Sequence, residues 1–194
     1  LAQPDAVIDI SRIPGLDGIE VSDDAVSVGA MVRSRALELH DGAFAKAPVL
    51  RAALHHVAHV PIRNRGTVCG SIAHADPAAE LPAVLLTLDG HVVARGAAGE
   101  RLVPAAELFA FQMTTTLAAD EIVVKAVFPA QRAGEGHAFL EYARRQGDYA
   151  MAAAAAAREA VTNDTDGAGG AYRRRLLSTL VTRAVREAAG RTGA

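Results

Sequence analysis

The chain has little of what several common functions require. Only one cysteine, Cys69, occurs in 194 residues, so the chain alone can neither close a disulfide nor supply the four thiolates of a zinc or iron–sulfur site. A reducing, cytoplasmic compartment is the expected setting. No long run of one charge sign is present. Twenty Lys and Arg stand against 22 Asp and Glu for a net charge of -2, which excludes the basic footprint of a nucleic-acid or anionic-lipid binder. The apolar runs, such as residues 83–88 and the alanine tract at 152–157, fall far short of the ~20 residues a membrane helix needs. Leu1 opens no leader of the basic, apolar, small-residue kind, and with no initiator Met the natural chain is expected to start upstream. No internal repeat is evident. What is present suffices for a packed domain, since 51% of the residues are hydrophobic and 22% charged, inside the ordinary globular range.

Along the chain, residues 6–10 and 25–30 are β-branched and alternating, and Pro14, Gly15, Asp17 and Gly18 lie between them, predicting two short strands around a turn. Residues 34–40 read as a short helix. Pro48 suits the first turn of another, running through Val49, Ala52, Ala53, His56 and Val57 until Pro61 stops it. Residues 62–77 are polar and carry Gly66 and Gly70, predicting a loop ordered by contacts, where functional residues concentrate. An apolar helix follows at 82–88, then a hairpin of 91–95 with 101–103 turning at 96–99, then strands at 121–128 and 137–142. Helices and strands mix without strict alternation, so the expected class is α+β rather than a doubly wound parallel sheet.

The C-terminal part reads differently: the alanine run, turn formers at 162–170, then an amphipathic helix over about residues 172–189. There Leu176, Leu177, Leu180, Val181, Ala184 and Val185 oppose Arg174, Arg175, Arg183 and Glu187. It resembles the remnant of a second domain, so the expected units are residues 1–150 and 151–194.

The most informative segment is Ile62-Arg63-Asn64-Arg65-Gly66-Thr67-Val68-Cys69-Gly70-Ser71 followed by Ile72-Ala73-His74-Ala75-Asp76-Pro77-Ala78-Ala79-Glu80-Leu81-Pro82. Glycine admits positive φ and close backbone approach, so consecutive amides here could surround a pyrophosphate, with the hydroxyls of Thr67 and Ser71 adding donors. The same small residues also suit an ordinary turn. Asp76 before Pro77 fits a helix N-cap. His55 and His59 have the i, i+4 spacing of a metal pair, but without the glutamate of a zinc protease they fit a plain helix as well.

This segment resembles the Ile-Arg-Asn-x-Gly-Thr-(Ile/Val)-Gly-Gly stretch and the following His-Ala-Asp-Pro-Ala-Ala-Glu-Leu-Pro of the FAD-binding middle subunits of molybdenum hydroxylases. Carbon monoxide dehydrogenase medium subunits and the FAD domain of xanthine dehydrogenase belong to that family. The resemblance continues in Asp9-Ile10-Ser11-Arg12-Ile13-Pro14-Gly15-Leu16, in Glu121, Ile122 and Pro129, and in Arg144-Arg145-Gln146-Gly147-Asp148-Tyr149-Ala150. It implies a PCMH-type FAD-binding domain of α+β class, with a smaller, incomplete C-terminal α+β domain, and noncovalent FAD. By the resemblance Thr67, Val68, Cys69, Gly70 and Ser71 line the FAD pyrophosphate, Glu80 lies near the nucleotide part, Val123 packs against the isoalloxazine ring, and Tyr149 covers or gates the flavin. His74 is either a further cofactor contact or a packing residue. No catalytic residue is expected in this chain, because the implied role is electron transfer. A large molybdopterin subunit and a small subunit with 2Fe–2S clusters are the implied partners, in a dimer of heterotrimers located in the cytoplasm or at the inner face of the membrane. Two alternatives are a flavin-free scaffold subunit and a self-contained flavin oxidase.

The chain also departs from the family pattern. Cys69 replaces the first glycine of the usual pair, and its Cβ is expected to narrow the space above the phosphates. An earlier Ala-Gly-Gly-x-Ser loop, which would precede Leu1, is absent, and family sequence is missing between Ala157 and Arg158, so the chain is expected to be part of a longer protein.

Overall fold

The computed structural model describes residues 4–132 and 135–156. In chain order these form β1 (Ile19–Val21), β2 (Ala25–Gly29), α1 (Ser34–Glu38), α2 (Asp41–Lys46), α3 (Pro48–Leu54), α4 (Val60–Arg63), α5 (Val68–His74), α6 (Glu80–Thr87), β3 (His91–Gly96), β4 (Gly99–Pro104), α7 (Ala105–Leu108), β5 (Phe109–Phe111), β6 (Thr114–Thr115), β7 (Ile122–Pro129), β8 (Ala138–Tyr142) and β9 (Ala152–Ala156). The class is α+β, as the mixed pattern predicts.

Five strands make an antiparallel sheet in the order β1-β2-β7-β3-β4. Its strands alternate because one face receives the helices. Val26 and Val28 on β2, Ala126 and Phe128 on β7, and Val92 and Ala94 on β3 are all fully buried, while the residues between them keep contact with water. Burying one such Val or Phe side chain contributes about 1.5–3 kcal/mol. On that face α3 contributes Leu50 and Leu54, α5 contributes Val68 and Ile72, and α6 contributes Leu81 and Leu85. β8 and β9 form a separate hairpin, paired from Ala138↔Ala156 to Tyr142↔Ala152, which packs on α3 and α6. The alanine run therefore enters a strand, and its hairpin partner β8 lies on the other side of the domain boundary expected at residue 150. Residues 172–189, expected to be helical, lie outside the described residues.

The structure corrects the sequence reading at several points. Residues 6–10 form no strand, and Val7 and Ile8 are 87% and 83% exposed. The first strand is Ile19–Val21, which pairs with β2 through Ile19↔Val28. Alternation alone does not make a strand where no edge lies beside it. The second predicted helix ends at Leu54 rather than Val57, with a left-handed Ala58 (φ 42°) breaking the path before α4. Pro61 starts α4 instead of ending a helix, since a missing N–H costs nothing in a first turn. His55 therefore follows α3 and His59 precedes α4, so the pair does not share a helix face. Residues 62–77 are not a loop throughout, because α5 occupies their middle.

Candidate functional site

The segment from Val60 to His74 is pinned to the chain beside β2. The Val68 N–H donates to the Val32 carbonyl at 3.1 Å and the Ser34 N–H to the Gly66 carbonyl at 3.0 Å, while Arg33 and Thr67 form an isolated bridge. Thr67 is extended (φ −106°, ψ 152°), and its hydroxyl accepts the Gly70 N–H at 3.1 Å, an N-cap that starts α5. The short helix then divides by face: Val68, Cys69 and Ile72 enter the core, while Gly70, Ser71 and His74 face a cleft of about 550 Å³. Such a division follows from a 3.6-residue period in which small and polar residues occupy one side.

Three further walls close the cleft. One holds Val57, Ala58, Ile62 and Arg63, another Asp76, Ala79 and Glu80, and the third Gly147, Asp148 and Tyr149. Arg63 braces the first. Its guanidinium is buried and donates to both carboxylate oxygens of Glu38 at 2.9 and 3.0 Å and to the carbonyls of Val57 and Ala58 at 2.7 and 3.0 Å. Burial works to raise Glu38, but hydrogen bonds from Arg63 and Arg35 outweigh it and hold the carboxyl below its usual range. The third wall turns at Gly147, whose φ of +86° suits glycine. A Cβ there would come within 2.6 Å of the His59 ring.

Thr67, Gly70, Ser71, Glu80 and Tyr149 are thus brought together on one cleft, and His74 joins them. Tyr149 is 65% exposed at its edge. Val68, Cys69 and Val123 do not line it. Val68 is fully buried, and Val123 is 7% exposed on β7 opposite Ala94. Cys69 points into the core, its thiol donating to the Val28 carbonyl at 3.4 Å, and burial pushes that thiol up to about 12. The expectation that its Cβ crowds the phosphate side is therefore corrected.

The expected ring of inward amides is also corrected. The N–H groups of Val68, Gly70 and Ser71 are committed to Val32, to the Thr67 hydroxyl and to the Thr67 carbonyl. Nor does Gly70 take a positive φ. Its lack of a side chain matters for another reason, since a Cβ would come within 2.6 Å of Thr67 Oγ1. Asp76 does not cap α6, whose N-cap is Ala79. It caps the preceding turn, accepting the Ala78 N–H at 2.8 Å, because the chain needs one more turn before the helix begins.

Glu80 is the first residue of α6 and only 6% exposed. Burial raises its carboxyl above the usual range and the charge of Asp76 adds to this. Sequence reasoning missed Arg63 and Glu38, which lie 25 residues apart, and it missed Glu141 on β8. The Glu141 side chain is 2% exposed with Oε1 4.0 Å from His56 Nδ1, and burial, then the charge of Glu80, push it up to about 7. Arg63 was visible inside the quoted motif, but nothing in the sequence marks Glu141. Among the described residues no group of three His, Cys, Asp or Glu could hold a metal ion, and no helix is long and apolar enough to cross a membrane.

Comparison with known proteins bears on this cleft. Residues 1–131 match the family model described as the FAD binding domain in molybdopterin dehydrogenase. The chain is 42% identical over 155 residues to 6-hydroxypseudooxynicotine dehydrogenase complex subunit alpha of Paenarthrobacter nicotinovorans, covering 80% of this chain and 52% of that protein. It is 38% identical over 154 residues to the carbon monoxide dehydrogenase medium chain of Hydrogenophaga pseudoflava, covering 79% and 54%. The chain thus spans about half the length of these relatives. Among solved structures, carbon monoxide dehydrogenase from Hydrogenophaga pseudoflava lacking the Mo-pyranopterin moiety superposes with a TM-score of 0.88 at 28% identity, over 98% of this chain and 84% of that one. Quinoline 2-oxidoreductase from Pseudomonas putida 86 superposes with a TM-score of 0.83 at 28% identity, over 96% and 82%. With the family model covering residues 1–131, more than half of the chain, the chain belongs to the FAD-binding domains of molybdopterin dehydrogenases.

Proposed function

We propose that the cleft holds FAD and that the protein is the FAD-binding electron-transfer subunit of a molybdenum hydroxylase complex of the carbon monoxide dehydrogenase type. The observation that carries this reading is the convergence of Thr67, Gly70, Ser71, Glu80 and Tyr149 on one cleft of about 550 Å³, inside the size range of cofactor sites. The residues present fit such a ligand. Gly70 leaves bare backbone beside the Thr67 cap, Ser71 adds a hydroxyl, and the buried Glu80 offers an acceptor that water does not already saturate. Thr67, Gly70 and Ser71 would hold the pyrophosphate, with Val68 and Cys69 supporting that turn from the core side. Glu80 would meet the nucleotide part, and Tyr149 would shield the ring from solvent.

FAD, when bound, takes up and gives up electrons, which is chemistry that side chains cannot supply. The chain's own work is to bind, orient and desolvate. Electrons are proposed to arrive from the 2Fe–2S clusters of a small partner subunit, after oxidation of the substrate at molybdenum in a large one, within a cytoplasmic dimer of heterotrimers. Residues 151–194 would begin the second, smaller domain. The relatives' names span nicotine derivatives and carbon monoxide, so the substrate is assigned to the large subunit and not to this chain. The flavin-free alternative drew on Cys69 and on the absent Ala-Gly-Gly-x-Ser loop, and of these two grounds Cys69 is removed because it faces the core.

Denaturing the purified complex with acid or heat tests the reading. The expected result is flavin released into the supernatant, with molybdenum and iron present only when the partner chains copurify. Colourless protein from a flavin-replete preparation overturns it.

A further inference from the structure

The third wall of the cleft is shared with a second cavity. Between β8 and β9 the chain turns through residues 143–151, closed by the Met151 N–H donating to the Tyr142 carbonyl at 2.9 Å and the Asp148 N–H to the Arg145 carbonyl at 3.2 Å. Gly147, Asp148 and Tyr149 of this turn line the cleft. The same three residues, with Arg144 and Met151, line a neighbouring cavity of about 470 Å³. One arginine belongs to each space. Arg63 of the cleft is buried and committed to Glu38 and to two backbone carbonyls. Arg144 of the second cavity is exposed and makes no hydrogen bond or ion pair among the described residues, so its charge is available to a ligand.

The groups assigned to the pyrophosphate and the nucleotide part, Thr67, Gly70, Ser71 and Glu80, all lie in the first cavity. A dinucleotide continues past them, and the shared Tyr149 leads into the second. There the Tyr149 ring, the Met151 thioether and a guanidinium suit a flat heteroaromatic group. Asp148 makes the same cavity a poor seat for a phosphate. Resting on the proposed flavin site, we infer that the second cavity seats the flavin ring and that the positive charge of Arg144 stabilises the ring in its reduced form. Reduction takes two electrons, proposed to come from the partner's iron–sulfur clusters, and one proton from water, and it leaves one negative charge on the pyrimidine part of the ring. The oxidised ring is neutral. A cation beside it therefore favours the reduced state and barely alters the hold on oxidised FAD. Asp148 acts in the opposite sense, so the ring's charged edge belongs on the Arg144 side.

Potentiometric titration of the purified complex, followed at the flavin absorption band, reads this charge without turnover. Arg144→Gln is expected to weaken the preference for reduced over oxidised flavin about tenfold, a fall of about 30 mV in the two-electron midpoint potential. Oxidised FAD stays bound within about threefold, and the partner's iron–sulfur potentials stay where they were. Arg144→Lys keeps the charge and holds the flavin preference within about twofold, or about 10 mV. Arg145→Gln does the same, because Arg145 lines neither cavity. A flavin potential unmoved in Arg144→Gln, or lowered equally in Arg144→Lys or Arg145→Gln, overturns the inference while leaving the flavin site standing, as does loss of oxidised FAD from Arg144→Gln alone. An unsubstituted complex without FAD overturns the flavin site and the inference together.

Discussion

Cys69 and Gly70 are neighbours about 100° apart in one helical turn, one entering the core and the other the cleft, so substituting each separates stability from cofactor retention. Cys69→Gly removes a methylene and a thiol from the core, where the residue is 2% exposed, costing about 1–2 kcal/mol in lost burial and packing. Glycine inside a helix costs about 1 kcal/mol more. The sum, about 2–3 kcal/mol, corresponds to a fall in Tm of roughly 4–10 °C for a domain of this size, with FAD affinity unchanged because no group on the cleft moves. Gly70→Ala reverses the pattern. Its Cβ would come within 2.6 Å of Thr67 Oγ1, so the threonine must turn aside and release the Gly70 N–H that it accepts at 3.1 Å. Losing that cap costs about 1 kcal/mol, but alanine recovers about as much in helix propensity. Stability therefore stays nearly level while the displaced side chain reshapes the cleft, and FAD affinity falls about tenfold or more. Thermal melts of the flavin-free protein and quenching of FAD fluorescence read the two effects separately. Flavin lost in Cys69→Gly without loss of stability, or retained at full affinity in Gly70→Ala, would refute the assignment of faces.

Arg63→Met should cost about 3 kcal/mol, since it leaves Glu38 with Arg35 as its remaining cationic partner and frees the Val57 and Ala58 carbonyls; a melt displaced by less than a few degrees contradicts this. The Cys69 thiol, pushed up to about 12 by burial, should ignore a thiol reagent in native protein and react only after denaturation. Glu141 gives a signed pH effect. Its carboxyl is raised from 4.5 to about 7 in the folded state, so its favourable contribution is complete below about pH 4.5 and is lost as pH rises through about 7. Glu141→Gln escapes that loss and should gain up to about 3 kcal/mol relative to the unchanged protein between pH 5 and 8; parallel stability curves would contradict it. Gly147→Ala, forced to adopt a φ of +86° against the His59 ring, should cost about 1–3 kcal/mol and loosen the wall that carries Tyr149, which urea titration together with protease cleavage near Tyr149 would show.

Much of the architecture was legible in the order of residues because local patterns carried it. Alternation announced β2, β7 and the β3–β4 hairpin, Pro48 marked the start of α3, and the apolar run after Pro82 marked α6. The segment from Ile62 to Pro82 identified both the family and the neighbourhood of the cleft, since its glycines and hydroxyls follow one another in the chain. Where the reading failed, a local pattern had two outcomes and packing chose between them. Residues 6–10 alternate like a strand but have no edge beside them, and Pro61 can end one helix or begin the next.

Tertiary structure alone decided which way each side chain of the cleft segment faces. Cys69 stands in a row of presumed cofactor contacts, and one-third of a helical turn separates it from the cleft and sends its thiol to Val28, 41 residues away. The brace of Arg63 on Glu38 and the approach of Glu141 to His56 join residues from separate elements, so no motif spacing could announce them. Composition and short-range pattern determine which elements form and which residues are available. The sheet and the helices packed on it determine which carboxyl groups lose their water, and with that which of them keep a proton near neutral pH.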